Sequence, residues 1–168
     1  MANTVRNFKN GVNISGSAKV NGFNIDAPEI KYNTSTVSTN TTVATVSDFT
    51  YAAAANTKYL LEYYLFVHSD AQATLRFKPD YPASIVKTYS GTGGPQSSGS
   101  AALSETPSNG TQVGQYISTQ IGDYTLCVLS LYVETGASSG NIVFKYSSHA
   151  GTFGEVRAGS FVRITTLQ

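Results

Sequence analysis

Apolar and polar residues alternate along much of the chain between residues 40 and 168. In the clearest segment, 58–68, every odd-numbered position from Tyr59 to Val67 is apolar or aromatic. Three of its even-numbered positions are apolar as well, and Glu62 lies among them. Because successive side chains of a strand point to opposite faces, this pattern predicts a β-strand that is covered on both sides. Such a strand lies in the middle of a domain, or packs one face on the core and the other on a neighbouring subunit.

Further segments of the chain show strand patterns separated by turn residues. We expect 72–78 to form a hairpin with 58–68, and 135–140 to be the hairpin connection between the next two strong strands. Seven to nine strands at a spacing of about ten residues predict an all-β body at 40–168, an antiparallel β-sandwich of the jelly-roll type. The further segments are 42–51, 72–78, 84–90, 114–121, 124–135, 140–149 and 155–167.

The N-terminal 27 residues differ from this body, because they repeat one short phrase. Asn-Gly-Val-Asn-Ile at 10–14 returns as Asn-Gly-Phe-Asn-Ile at 21–25. Apolar positions alternate with polar ones between glycines, which predicts a short β arm of very short strands joined by tight turns. A two-stranded hairpin is marginal in water, so the arm is expected to cover its apolar side against its own domain or against identical arms. The apolar arm residues are Val12, Ile14, Val20, Phe23 and Ile25.

Two segments have little apolar content. Residues 28–39 begin with a proline and are expected to be a linker with room for one strand. Residues 91–111 are rich in Gly, Ser and Thr and are expected to be a long polar loop, either a display loop or disordered. Loops longer than about 12–15 residues are uncommon unless they are functional or disordered.

Composition narrows the classes of partner. The chain has 11 Lys and Arg against 10 Asp and Glu, a net charge of +1, and only 12% charged residues. No basic cluster is present, so neither nucleic-acid binding nor a polybasic membrane contact is predicted. The first residues lack the apolar stretch of a signal peptide, and no apolar run reaches the roughly 20 residues of a membrane helix, so synthesis in a cytoplasm is expected.

Candidate chemistry is sparse. His68 and His149 are the only histidines, and neither stands in a pattern typical of a nucleophilic triad or a metal site. Cys127 lies in an apolar strand pattern and is expected to be a small buried residue. Glu62 and Glu134 are expected to be solvent-facing or interface charges. We therefore predict no enzyme activity, no catalytic residues, no cofactor and no metal.

Tyrosines near strand ends are the remaining candidates for recognition. Tyr81, Tyr89 and Tyr116 are candidates for a surface that stacks on sugar rings, since an exposed tyrosine combines an apolar ring with a polar hydroxyl. The alternative is that such tyrosines cover the core or a seam between subunits.

Three stretches resemble bacteriophage structural proteins. NISGSAKVNG at 13–22 resembles the Gly-punctuated phrases in the shafts of phage tail fibres. Residues 48–78 and 129–164 resemble the two halves of a β-sandwich domain common in small phage structural proteins. The resemblance implies a virion component that is usually trimeric and has no catalytic residues. Two shaft phrases are few for a long tail fibre, which favours a short appendage or a capsid decoration.

These observations lead to one functional expectation and two alternatives. The first is a non-enzymatic virion protein, a homotrimeric capsid decoration, head fibre or short fibre, made in the host cytoplasm. Its arm at 1–27 would attach to other virion proteins of the capsid or tail, without nucleic acid and without membrane insertion. The second is a tail module that binds a host-surface glycan. The third, a polysaccharide depolymerase, would need a larger fold and clustered acids.

Overall fold

The secondary structure is almost entirely β, which confirms the predicted fold class. The computed structural model describes residues 17–20, 23–26, 28–40, 42–69, 74–82, 84–92, 104–105, 114–117, 124–148 and 153–167. Among these residues, one 3-10 turn, Ser47–Phe49, interrupts the strands. The strands are β1 Ser17–Val20, β2 Phe23–Asp26, β3 Glu29–Tyr32, β4 Val37–Thr39, β5 Ala44–Thr45, β6 Tyr51–Ala53, β7 Lys58–Ser69, β8 Thr74–Phe77, β9 Ser84–Thr92, β10 Ser104–Glu105, β11 Gly114–Ile117, β12 Thr125–Thr135, β13 Gly140–Ile142, β14 Lys145–Ser148, β15 Gly154–Val156 and β16 Phe161–Leu167.

Strand β7 is the centre of an antiparallel sheet of eight strands, here called the large sheet. On one side β12 pairs with β7 along nearly its full length, and β9 and β10 continue the sheet beyond β12. On the other side β16 and β15 pair with successive parts of β7, and each is flanked in turn by β3 or β4. The predicted central strand at 58–68 is therefore confirmed.

The second layer consists of a four-stranded sheet, β11-β8-β14-β5, and the pair β13-β6. Aromatic side chains of the two layers meet in the core. The ring of Tyr63 in β7 lies 4.5 Å from that of Phe144, and Phe77 of β8 contacts Phe144 at 5.8 Å. Alternate residues of β7 and β12 face this core, as expected for strands with one face on a sandwich interior.

The chain passes from one layer to the other between most consecutive strands, so both predicted hairpins are wrong. Strand β8 follows β7 but pairs with β11 and β14, and β13 follows β12 but pairs with β6. The alternation in 72–78 correctly shows that Leu75 and Phe77 are buried. It does not specify which sheet the strand joins, because both inner faces bury alternate residues.

Segments expected to be irregular also contribute strands. Residues 28–39, predicted as a linker, supply β3 and β4 to the large sheet. The predicted loop 91–111 starts later than expected, since β9 continues to Thr92, and β10 within it pairs with residues 87–88. Its other residues lie outside the described part of the chain.

The arm contains two short strands, as predicted. Strands β1 and β2 pair antiparallel, with Val20 opposite Phe23 and Ser17 opposite Asp26. Val12 and Ile14 lie outside the described residues.

Asn33, directly after β3, bonds to the segment that connects β15 to β16. Its buried side-chain amide donates to the carbonyl oxygens of Val156 at 3.4 Å and Arg157 at 3.2 Å. Its backbone N–H donates to the carbonyl of Ser160, whose hydroxyl accepts from the N–H of Phe66 at 2.9 Å. Gly159 turns this corner with a φ of 87°, a conformation that glycine adopts without strain. These bonds hold β3, β7 and β16 in fixed register next to one another.

Candidate interaction surface

The large sheet has a second face, which points away from the core and is here called the outer face. Its residues alternate with the buried ones along β7, β12 and β16. Of the six large hydrophobic residues that are exposed in the described chain, five lie on this face or at its end. They are Ile30, Tyr32, Phe66, Tyr124 and Leu126.

An aromatic row crosses the outer face from β3 through β16 to β7. Tyr32 is opposite Phe161, which is opposite Tyr64. The rings of Tyr64 and Phe161 are stacked, with centroids 4.6 Å apart and planes within 11°, and Tyr32 lies 5.8 Å from Phe161. Cross-strand aromatic pairs stabilise a sheet, and here they also form a stiff, largely apolar surface.

Leu126 and Phe66 extend this surface along the central strands. They are directly opposite each other in β12 and β7, and each is more than a third exposed. The core of the sandwich is already complete beneath them, because their neighbours Leu65 and Cys127 are buried. The packing among the described residues therefore does not explain the apolar character of the outer face.

The outer face carries charged residues of both signs in equal number. Arg163 donates to Glu62 with 2.6 Å between Nε and Oε2, and this hydrogen bond raises the pKa of the Arg163 guanidinium. Lys58 is opposite Glu134 in the register of β7 and β12. At the far end, Glu155 and Arg157 both contact Tyr124. Among the described side chains of this face, the three carboxylates are thus equalled in number by three cations.

Tyr124 is the centre of a polar aromatic cluster at that end, here called the Tyr124 cluster. Its hydroxyl donates to Glu155 Oε1 at 2.6 Å, and this bond raises the pKa of Tyr124. The guanidinium carbon of Arg157 lies 4.1 Å from the ring centroid. The ring of His68 is 5.2 Å away. The register of β15 on β7 produces the cluster by placing Glu155 opposite His68.

The cluster also brings a histidine near a carboxylate. His68 Nδ1 lies 3.7 Å from Glu155 Oε1, which is longer than a hydrogen bond. The described residues contain no group of three or more His, Cys, Asp or Glu side chains that could hold a metal ion. The cluster presents one exposed ring, with a guanidinium over one face and a carboxylate bonded to its hydroxyl.

The structure separates the tyrosines predicted for surface recognition. Tyr81 is only 2% exposed and lies in the core, so its prediction as a surface residue is wrong. Its neighbour Asp80 bridges to Val143 in the chain leading to β14, which draws this segment inward. The backbones of Tyr89 and Tyr116 lie in β9 and β11, opposite Ser130 and Leu75. A role for their side chains in surface recognition stays a prediction.

The structure describes some of the remaining candidate residues and not others. Val20, Phe23 and Ile25 lie in the arm hairpin. Cys127 is buried as predicted, and burial raises the pKa of its thiol to about 12. His149 is outside the described residues.

Sequence reasoning missed the Tyr124 cluster, although one signal for the outer face was present. The apolar even-numbered positions of 58–68 indicated a second covered face. The partners Tyr32 and Phe161 depend on strand pairing, which the pattern of a single strand does not specify.

No protein-family model matches the sequence, and comparisons with curated proteins and with solved structures found no significant match. No helix among the described residues is long and apolar enough to cross a membrane.

Proposed function

We propose that this chain is a non-enzymatic structural protein of a bacteriophage virion, which assembles with other copies as a trimer. In this proposal the arm at 1–27 attaches it to the capsid or tail, and the sandwich projects as a decoration, head fibre or short fibre. The phage origin and the threefold symmetry come from the resemblance of 13–22, 48–78 and 129–164 to phage structural proteins.

One structural observation carries the assembly part of this proposal. A sandwich needs one apolar face on each sheet, and the large sheet in addition carries exposed apolar side chains on its outer face. Contiguous exposed apolar surface on a folded chain typically marks a protein–protein contact. A rigid β-sandwich with a second apolar face is suited to building an assembly.

Antibody–gold labelling of intact particles tests the proposal directly. Gold over the capsid would indicate a decoration or head fibre, and gold at the tail would indicate a fibre near the host-recognition apparatus. Absence of gold from all particles, with antibody that recognises the purified chain, would contradict the virion assignment.

The Tyr124 cluster favours a second candidate function, a receptor-binding module for a host glycan. An exposed tyrosine ring provides an apolar surface for a sugar ring, and the adjacent carboxylate and guanidinium provide hydrogen-bonding groups for its hydroxyls. This function predicts binding of the purified chain to host polysaccharide, and loss of that binding in Tyr124→Ala.

A control variant distinguishes this site from a general effect on the protein. Tyr51→Ala removes a half-buried tyrosine at the other end of the chain's fold, where it packs on Tyr59. Binding that is equal in both variants would exclude the Tyr124 cluster as the glycan site.

A further inference from the structure

We infer that the outer face of the large sheet is the seam between copies of this chain. The row Tyr32–Phe161–Tyr64 and the pair Phe66–Leu126 would lie against a neighbouring copy. This inference rests on the proposed function, to which it adds the partner and the residues of the contact.

The position of the apolar residues gives the first argument. Tyr32, Phe161 and Tyr64 follow one another across three strands, and Phe66 lies one outer-face position beyond Tyr64 in β7. Leu126 is directly opposite Phe66. These residues form one continuous area rather than scattered single exposures, which are normal on any surface.

The charges of the face fit a second copy as its occupant. When a surface meets another copy of itself, an excess of one sign would repel the same sign on the partner. On this face Arg163 bonds to Glu62, Lys58 is opposite Glu134 in the strand register, and Arg157 and Glu155 both contact Tyr124. The face therefore has no described excess charge that would require a partner of opposite sign.

The aromatic side chains are also self-complementary. An aromatic ring has a negative face and a positive edge, so rings pack well on other rings in offset or edge-on arrangements. The rows of three copies can therefore converge around a threefold axis, where like residues meet, without a partner of different chemistry.

The test compares substitutions on and off the face in the full-length chain. Leu126→Asp and Tyr32→Asp each place a carboxylate on the outer face, while Val43→Asp makes the same kind of change at a residue before β5 of the second sheet. Val43 is 46% exposed, between Leu126 at 40% and Tyr32 at 58%, so exposure is matched. Sedimentation velocity measures the state of association.

We expect the wild-type chain and Val43→Asp to be oligomers, and both outer-face variants to be monomers over the same concentration range. A carboxylate buried without a partner should weaken association at least about a hundredfold. Oligomers of unchanged stability in Leu126→Asp and Tyr32→Asp would place the contact elsewhere and overturn the inference.

Cysteine labelling provides a second measurement that does not depend on a destabilising charge. The native Cys127 is buried, so a single introduced thiol can be followed. We expect Leu126→Cys to be protected from an alkylating reagent in the oligomer and to react when the chain is diluted to monomer. Val43→Cys should react at the same rate at both concentrations. Equal reaction of both thiols in the oligomer would contradict a seam at the outer face.

These outcomes are separable from the failure of the proposed function. If the wild-type chain is a monomer and the antibody labels phage particles, the seam between copies is wrong and the virion assignment stands. If the chain is an oligomer with the predicted seam and the antibody labels no particle, the seam stands and the virion assignment is wrong.

Discussion

At the scale of single residues, two buried tyrosines of the same sandwich have opposite hydrogen-bonding situations. The hydroxyl of Tyr63 has no partner among the described residues, whereas that of Tyr146 donates to the carbonyl of Val37. Burial raises the pKa of both phenols, so both hydroxyls stay protonated at neutral pH. The tyrosine hydroxyl thus lowers the stability of the fold in Tyr63, whereas in Tyr146 it connects β14 to β4.

This difference predicts opposite results for the same substitution. Tyr63→Phe removes a buried hydroxyl without a protein partner, so the free energy of unfolding should stay the same or rise by up to about 1 kcal/mol. Tyr146→Phe removes the hydrogen bond to the Val37 carbonyl and should lower the free energy of unfolding by about 1 kcal/mol. Urea unfolding of the two variants measures both values. Equal losses would mean that Tyr63 also has a stabilising partner.

At the scale of elements, Asp48 joins the 3-10 turn to the connection between β3 and β4. One oxygen of its carboxylate accepts from the backbone N–H and the hydroxyl of Thr34, both at 2.7 Å. These two bonds, the backbone one first, lower the pKa of Asp48 below its ordinary value of 3.8. The ionised carboxylate therefore stabilises the folded chain more than the protonated form does.

The sign of this shift predicts an acid-dependent loss of stability. The contribution of Asp48 is fully present above pH 3.8 and declines as the pH falls through the lower pKa of the folded state. The difference in free energy of unfolding between wild type and Asp48→Asn should therefore shrink in acid. Denaturant titrations at neutral and acidic pH measure it, and Thr34→Ala, which keeps the backbone donor, should show part of the effect. A difference that is independent of pH would contradict the role of the charge.

The strands also show what a single sequence can specify. The pattern at 58–68 predicts β7 almost to the residue. Every odd-numbered position from 59 to 67 is apolar or aromatic, and three even-numbered positions are apolar as well. The hairpin with 72–78 fails because Leu75 and Phe77 would be equally well buried in either sheet. The prediction that Tyr81 lies at the surface is wrong for a related reason. The bridge between Asp80 and Val143 joins residues far apart in the chain. Alternation determines which face is buried, and pairing determines where the strand lies.

The interaction surface follows the same division. Its half on β7 can be recognised from the sequence, because Leu60, Tyr64 and Phe66 lie opposite a buried face. Its other half depends on β16 and β3 lying beside β7, which places Phe161 and Tyr32 in line with Tyr64. Sequence reasoning could therefore predict a second covered face but not its members.

At the scale of the whole molecule, the arm and the sandwich are expected to have separate tasks. The buried hydrophobic residues of the part of the chain whose burial is described, from Val46 to Ile164, form one core cluster in the sandwich. The hairpin β1–β2 forms its own two-stranded sheet. The proposed attachment to the particle then depends on the arm, while folding and self-association depend on the body.

Deletion of residues 1–27 tests this division. We expect the shortened chain to unfold at nearly the same urea concentration as wild type and to keep its oligomeric state, because the core and the outer face are intact. Its binding to particles that lack the protein should be lost, since a hairpin that is marginal in water gains its stability by docking. Leu126→Asp should do the reverse, losing self-association but keeping a weak attachment through each single arm, because avidity requires several linked arms. Full-affinity binding of the shortened chain would exclude the arm as the anchor and transfer that role to the sandwich.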